Sequence, residues 1–439
     1  MIFKRKLYDK LLVWKQQTAG TKALLIEGAR RIGKSTLVEE FAKNEYRSYL
    51  MIDFNKVSDS VISAFNNYMN DLDTFFLILS SEYGVRLYPK ESIIIFDEIQ
   101  QFPKARQAIK YLVADGRFDY IETGSLISIK ENVNDITIPS EERTLLMYPM
   151  DFEEFAWAMN EEPLMAYIRQ CFDKKVPLEQ GIHAKAMLLF RQYMIVGGMP
   201  KSLSAYLENN RNFEMADMEK RDILTLYRND IKKIKSGYRS SVLSIFDQIP
   251  AFLSRSERRV VMNRIEKGAS FPKYHDTFFW LSDSMIANEC FNCSDPNVGL
   301  SLNEDRTYVK CYMGDTGLLI SHTFDENEIS DGELYREILL GKLSVNEGMF
   351  YENVIAQMLV AAGHKLYFYT RYNQEKHRND MEIDFILSNH SKLRYKIFPI
   401  EVKSNDKYSI RSLTRFNESF RQRIGGSYVI HPKNLSVKE

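Results

Sequence analysis

One segment near the start of the chain narrows its possible folds more than any other. An apolar run, Lys22–Glu27, leads into Gly28-Ala29-Arg30-Arg31-Ile32-Gly33-Lys34-Ser35-Thr36, and a helical pattern opens at Ser35. The spacing is GxxxxGK(S/T), set between a strand and a helix, and that context is what the motif needs physically. Glycines let successive backbone N–H groups curl around an anion, and the first turn of the helix adds a favourable dipole. Lys34 is expected to hold the β- and γ-phosphates of a nucleotide, with the Ser35 hydroxyl on Mg²⁺. Gly28, Arg31, Ile32, Gly33, Lys34, Ser35 and Thr36 form the expected cradle. Arg30 and Arg31 lie in the loop and fit a solvent-facing role equally well.

A second apolar strand ends in acid: Ile93-Ile94-Ile95-Phe96-Asp97-Glu98. Downstream of a phosphate loop, the first carboxylate is placed to hold Mg²⁺ and the second to polarise an attacking water as general base. Two acids rather than a lone Asp point to ATP hydrolysis and not only binding. Further short apolar runs, Ser48–Phe54 and Asp119–Glu122, alternate with helical stretches such as Lys104–Asp115, the order of a parallel α/β sheet.

Composition sets the wider frame. The 439 residues carry 59 Lys plus Arg against 59 Asp plus Glu, which excludes a uniformly basic nucleic-acid coat and leaves local patches open. The length suggests two to four domains. No run approaches the ~18 apolar residues of a membrane span, and Met1–Trp14 lacks the apolar core of a signal peptide. Four cysteines do not make a disulfide framework in a chain of this length, so a reducing cytoplasm is the expected location. From about Asp151 amphipathic helices take over, broken sharply at Gly197-Gly198-Met199-Pro200. Helices over Ser240–Ser254, Glu257–Lys267 and Asp276–Glu289, followed by strands near Glu289–Asn292 and Arg306–Met313, have the order of a winged helix.

Taken in order, IEGARRIGKST, IIIFDEIQ, IETGS and RTLLMYPMDFEEF resemble the bacterial and archaeal AAA-type ATPases related to the STAND class. The resemblance implies that Thr123-Gly124-Ser125 is the polar sensor segment, with Ser125 near the γ-phosphate or the attacking water; as a plain residue Ser125 reads equally as a helix N-cap. Arg143 matches the family arginine, whereas Glu142 stands where the family has glycine, which puts the local turn in doubt.

The last third carries a second set. A helix over Asn346–Ala362 precedes strands Lys365–Arg371, Met381–Ser388 and Lys396–Lys403, a helix near Ser409–Arg421 and a strand Ser427–His431. Period-two geometry puts Glu401 and Lys403 on one face, and two acids with a lysine on adjacent strands can hold a divalent cation and activate water. Glu352 on the helix would complete the shell. EGMFYENVIAQML, YTRYN, MEIDFIL and PIEVKS resemble the C-terminal domain of the same ATPases, which is similar to the PD-(D/E)xK nuclease fold. That resemblance implies Glu352, Asp384 and Glu401 as Mg²⁺ ligands and Lys403 as the residue positioning the nucleophile or stabilising charge at phosphorus. Many domains of that fold bind without cutting.

The expected architecture is therefore α/β: a P-loop NTPase parallel-sheet domain over 1–160, a helical and winged-helix-like domain over 161–330, and a restriction-endonuclease-like domain over 331–439. ATP and Mg²⁺ are the expected cofactors. DNA is the expected macromolecular partner, through the basic series Lys407, Arg411, Arg415 and the run Arg228, Lys232, Lys233, Lys235, Arg239; protein partners are the alternative. Cys290-x-x-Cys293 with Cys311 and His322 is an incomplete zinc pattern and reads better as buried thiols. Asp315 reads as a structural cap.

Overall fold

A computed structural model of the chain describes residues 1–125, 140–234, 239–255, 258–260, 271–325, 332–342, 347–373, 378–389, 396–405 and 407–437. It separates into two compact units, one of Met1–Tyr148 with Asp283–Met285 and one of Pro149–Ser282 with Ile286–Glu439. Among the described residues no helix is long and apolar enough to cross a membrane.

The first unit is a parallel sheet with helices on it. Its strands are β1 (Ala23–Gly28), β2 (Ser48–Asp53), β3 (Ser92–Asp97), β4 (Asp119–Gly124) and β5 (Glu142–Met147), in the order β2-β3-β4-β1-β5. Every pairing is parallel. β1 and β3 are buried along their whole length. Continuous apolar strands such as ALLI and IIIF arise because helices cover both faces of a parallel sheet. One face packs Leu50, Ile52, Phe65, Phe75, Ile94 and Phe96 into a single core. The order sets β4 between β1 and β3, so the carboxyl end of β4 reaches the space between the glycine loop and the acidic strand end.

Glu142 makes no turn: it opens β5, and its buried side chain forms a bidentate ion pair with Arg106 at 2.8 and 3.0 Å. The carboxylate has its cation on the helix Pro103–Asp115.

In the second unit, Phe152–Ala158 starts with a full capping box: Asp151 accepts from the Glu154 N–H at 2.9 Å, and Glu154 accepts from the Asp151 N–H at 3.2 Å. The break at Gly197-Gly198 has a steric cause. A Cβ on Gly198 would lie 2.2 Å from the Met150 carbonyl oxygen, and one on Gly197 would lie 2.3 Å from Asp315 Oδ1. Asp315 itself caps the helix Thr316–Thr323 by accepting from the Leu318 N–H at 3.0 Å, as read from sequence.

The β-strands beyond this point depart from the expected domain plan. β6 (Ala287–Cys293) and β7 (Glu304–Met313) form the expected hairpin, yet β6 also pairs in parallel with β8 (Leu366–Asn373). With β9 (Arg378–Ile383) they make a four-stranded sheet ordered β7-β6-β8-β9. The hairpin is thus one half of a sheet completed by the last third of the chain, instead of a free wing. Of the helices expected before it, Arg239–Leu253 and Phe271–Asp283 are present, whereas most of Glu257–Lys267 lies outside the described residues. β10 (Phe385–Asn389), β11 (Lys396–Val402) and β12 (Tyr428–Ile430) form a separate three-stranded sheet. The single strand expected over Met381–Ser388 is interrupted at Asp384, where the chain passes from one sheet to the other. There the Asp384 carboxylate accepts the Val402 N–H at 2.8 Å, doing locally what a ladder carbonyl would do.

Candidate functional site

The residues of the phosphate loop converge at the carboxyl end of β1. Gly28 is obligatory, since a Cβ there would lie 2.4 Å from both Ile32 Cδ1 and the Met147 carbonyl oxygen. Gly33 and Arg31 adopt left-handed backbone conformations (φ 90° and 69°), and the helix Lys34–Glu45 starts directly after them. Arg5 braces the loop from outside: its guanidinium donates to the Ile32 carbonyl at 2.9 Å and to the Tyr148 carbonyl at 2.6 Å. Nothing in the motif points to this residue; only the fold brings residue 5 under the loop.

The Lys34 ammonium is buried and donates to the Gly28 and Ala29 carbonyls at 3.0 and 2.9 Å. Burial lowers its pKa to about 8 against the opposing pull of Glu98 and Asp97. Ser35 donates to Asp97 Oδ1 at 2.7 Å, joining loop and acidic strand end directly. The Thr123 hydroxyl, at the end of β4, donates to the same oxygen and stands 3.4 Å from the Glu98 N–H. Sequence reasoning marked the Thr123–Ser125 segment and favoured Ser125. The contact to Asp97 is made by Thr123, which is wholly buried, while Ser125 is half-buried at the strand exit. Thr36 and Arg31 are exposed.

Glu98 sits in the left-handed region (φ 55°, ψ 48°), a conformation that costs a non-glycine residue about 1–2 kcal/mol. The turn points its backbone N–H at Thr123, and Gln100 donates to its carboxylate. A strained acid held by an amide, one residue past a hydroxyl-bound Asp97, is aimed rather than free. Arg143 lies apart from this cluster, on β5, beside Asp9, Lys10, Val13, Trp14, Leu24 and Leu145 in a shallow apolar depression.

Residues 20–156 match the family model described as "AAA domain". The P-loop unit is similar to AAA domains. Residues 187–328 and 347–439 match two further families, each described only as a domain of unknown function. No curated protein matches the chain. Among solved structures, the chain is similar to AMPPCP-bound DnaA from Aquifex aeolicus, at 11% identity and TM-score 0.29 over 64% of this chain and 87% of that one. It is also similar to Cdc6p from Pyrobaculum aerophilum, at 11% identity and TM-score 0.26 over 77% and 93%. A third is a STAND protein with a tetratricopeptide repeat sensor from Pyrococcus horikoshii, at 12% identity and TM-score 0.29 over 81% and 48%. Likenesses this slight carry no weight beside the AAA-domain match and the loop geometry.

The C-terminal carboxylates do assemble, but around a different centre from the one expected. Lys310, on β7, is wholly buried, and its ammonium stands 3.2 Å from Glu352 Oε1, 3.1 Å from Glu382 Oε1 and 3.9 Å from Asp384 Oδ1. Glu352 also accepts from the Tyr312 hydroxyl and pairs with Arg258. Its carboxylate is therefore enclosed by two cations and a hydroxyl. Glu401 is buried beside Lys403, with 3.7 Å between Oε2 and Nζ, so the two share a face as the strand period requires. Burial raises the Glu401 pKa to about 7, with Asp384 and Glu382 adding to the rise and Lys403 opposing it. Among the described residues no group of three or more His, Cys, Asp or Glu is arranged to hold a metal ion. Glu352, Asp384 and Glu401 thus do not fit a shared Mg²⁺ as they stand. Lys310 was missed because it belongs to no motif, its only signal being a lysine inside an apolar strand, YVKCYM, and Glu382 lies within MEIDFIL but was passed over for Asp384.

The two basic series differ. In the run before the hairpin, Arg228 is bound to Asp247 and Asp325, Lys233 to Asp230, and Arg239 to the Ile234 carbonyl. Lys235 lies outside the described residues. Lys407 and Arg411 are exposed, as is Arg415, which donates to the Asp380 carbonyl. Cys290, Cys293 and Cys311 are buried free thiols, and burial raises all three pKa values.

Proposed function

We propose that this chain binds and hydrolyses ATP at its AAA domain and uses the nucleotide state to control a second unit that binds nucleic acid without cutting it. The Ser35–Asp97 hydrogen bond carries the first half: it joins the loop that would grip phosphate to the carboxylate that would hold the ion. Ser35 and Asp97 supply the hard oxygen donors that suit Mg²⁺, and the ion would neutralise charge between the β- and γ-phosphates. The Lys34 ammonium exchanges the Gly28 and Ala29 carbonyls for phosphate oxygens. Thr123 keeps Asp97 oriented. Glu98, fixed by its turn, takes a proton from the attacking water, and Ser125 at the end of β4 is the polar group expected nearest the γ-phosphate.

For the second unit, the enclosure of Glu352 by Lys310, Arg258 and Tyr312 favours a binding module over a Mg²⁺-dependent nuclease built on Glu352, Asp384, Glu401 and Lys403. Lys407 and Arg411, both exposed, are the proposed phosphate contacts. Two measurements test the reading. ATP turnover that persists at the parental rate in Glu98→Gln would remove Glu98 as base. Mg²⁺-dependent DNA cleavage by the parental chain, abolished in Lys403→Ala, would replace the binding module with a nuclease.

A further inference from the structure

We propose that the Lys310 ammonium is the resident cation of the C-terminal carboxylate cluster, held where a divalent ion would otherwise sit, so that this unit folds and binds without a metal. Four observations carry it. Lys310 is wholly buried, and three carboxylates from two other segments face its single ammonium, from Glu352, Glu382 and Asp384. A lysine offers three donors, which matches three acidic partners. Glu352 is buried and further neutralised by Arg258. The rim is open: the Glu382 and Asp384 side chains are 27% and 15% exposed, so the cluster is reachable from solvent on that side.

The physical consequence is competition for one position. A divalent ion takes oxygen ligands at roughly 2.0–2.6 Å, and those oxygens are the ones the ammonium already gathers. The ion cannot enter until the wholly buried ammonium leaves. Removing the ammonium, by contrast, leaves three carboxylates around an uncompensated position, a charge that draws in a cation once the half-open Glu382 and Asp384 side chains close on it. Lys310 comes from the segment matched to one family of unknown function, and the carboxylates come from the segment matched to the other. The ion cluster therefore ties the two segments together, and residues 347–439 alone would carry the acids without their cation.

The test uses the full chain without nucleotide, and Mn²⁺ as the probe. Free Mn²⁺ is read by electron paramagnetic resonance for the parental chain, Asp384→Asn and Lys310→Met, with thermal unfolding followed in parallel. The parental chain and Asp384→Asn are expected to leave the same free Mn²⁺, and the parental midpoint to be unmoved by the ion. Lys310→Met is expected to be less stable without metal, to bind about one Mn²⁺ more, and to regain about 5–10 °C at Mn²⁺ near 100 times its dissociation constant. A parental chain that binds Mn²⁺ and loses it in Asp384→Asn would overturn the proposal, whether or not Lys310→Met folds. So would a folded Lys310→Met that ignores Mn²⁺.

Discussion

Replacing Arg106 by methionine should reveal how much the AAA unit depends on a buried charge pair. Arg106 and Glu142 are only 6% and 4% exposed and meet bidentately at 2.8–3.0 Å. Beside them Glu122 is wholly buried, and burial together with the Glu142 charge pushes its pKa well above the carboxylate range. Burial therefore favours the neutral form of Glu122 beside the charged Glu142. Arg106→Met leaves Glu142 buried without its cation, a change that costs about 3–5 kcal/mol. For a unit of this size that lowers the unfolding midpoint by about 6–20 °C. The loss comes from a negative charge left unpaired in the interior, so it is read where carboxylates carry their charge. The assay is circular dichroism melting between pH 5 and 8, with the AAA transition identified as the one that nucleotide shifts. Arg106→Met/Glu142→Leu should recover most of the loss, and Glu122→Gln should change little because burial favours the neutral form of Glu122. A loss under about 2 °C at pH 8, or a double variant no better than the single one, would refute this electrostatic account.

Three shorter predictions accompany it. With the Lys34 pKa lowered to about 8, ATP affinity should fall as pH rises through 8, by up to about tenfold per unit, since phosphate needs the charged ammonium; titrations at pH 7 and 9 check this. Glu401, raised to about 7 from the ordinary 4.5, withdraws stability as pH climbs through that interval. Glu401→Gln should match the parental chain at about pH 4, below the unfolded pKa, and exceed it by up to about 3 kcal/mol above pH 7, read from denaturant melts. Gly198→Ala should cost about 3 kcal/mol, because its Cβ would meet the Met150 backbone, and an unchanged melt would contradict the close approach.

The AAA unit was legible in the sequence to a degree the second unit was not, for a local reason. Gly28–Ser35 and Ile93–Glu98 each carry their chemistry within one strand and one turn, so spacing alone reports it. Thr123 could be bracketed but not singled out, since its contact to Asp97 depends on β4 lying between β1 and β3. Arg5 was out of reach because its bond to Ile32 spans two elements with no shared pattern. In the second unit strand alternation placed Glu401 and Lys403 on one face, and Asp384 stood out as an acid embedded in an apolar run. Their cation was not, because Lys310 belongs to a hairpin whose pattern suited a wing equally well, and only the packing of the helix Glu347–Ala361 on β7, with the parallel pairing of β6 and β8, brings it beside Glu352 and Glu382. Long-range sheet pairing leaves no mark on local periodicity, so a residue delivered that way is invisible until the topology is known.

The central claim is that Lys34, Ser35 and Asp97 bind ATP. Calorimetric titration of the full chain with a slowly hydrolysed ATP analogue and Mg²⁺, in parental and Lys34→Ala forms, tests it most directly. The account predicts saturable binding by the parental chain and a loss of roughly 10- to 100-fold in Lys34→Ala, the worth of charge-assisted hydrogen bonds to phosphate. Equal affinity in the two forms, or no binding by the parental chain, would contradict it.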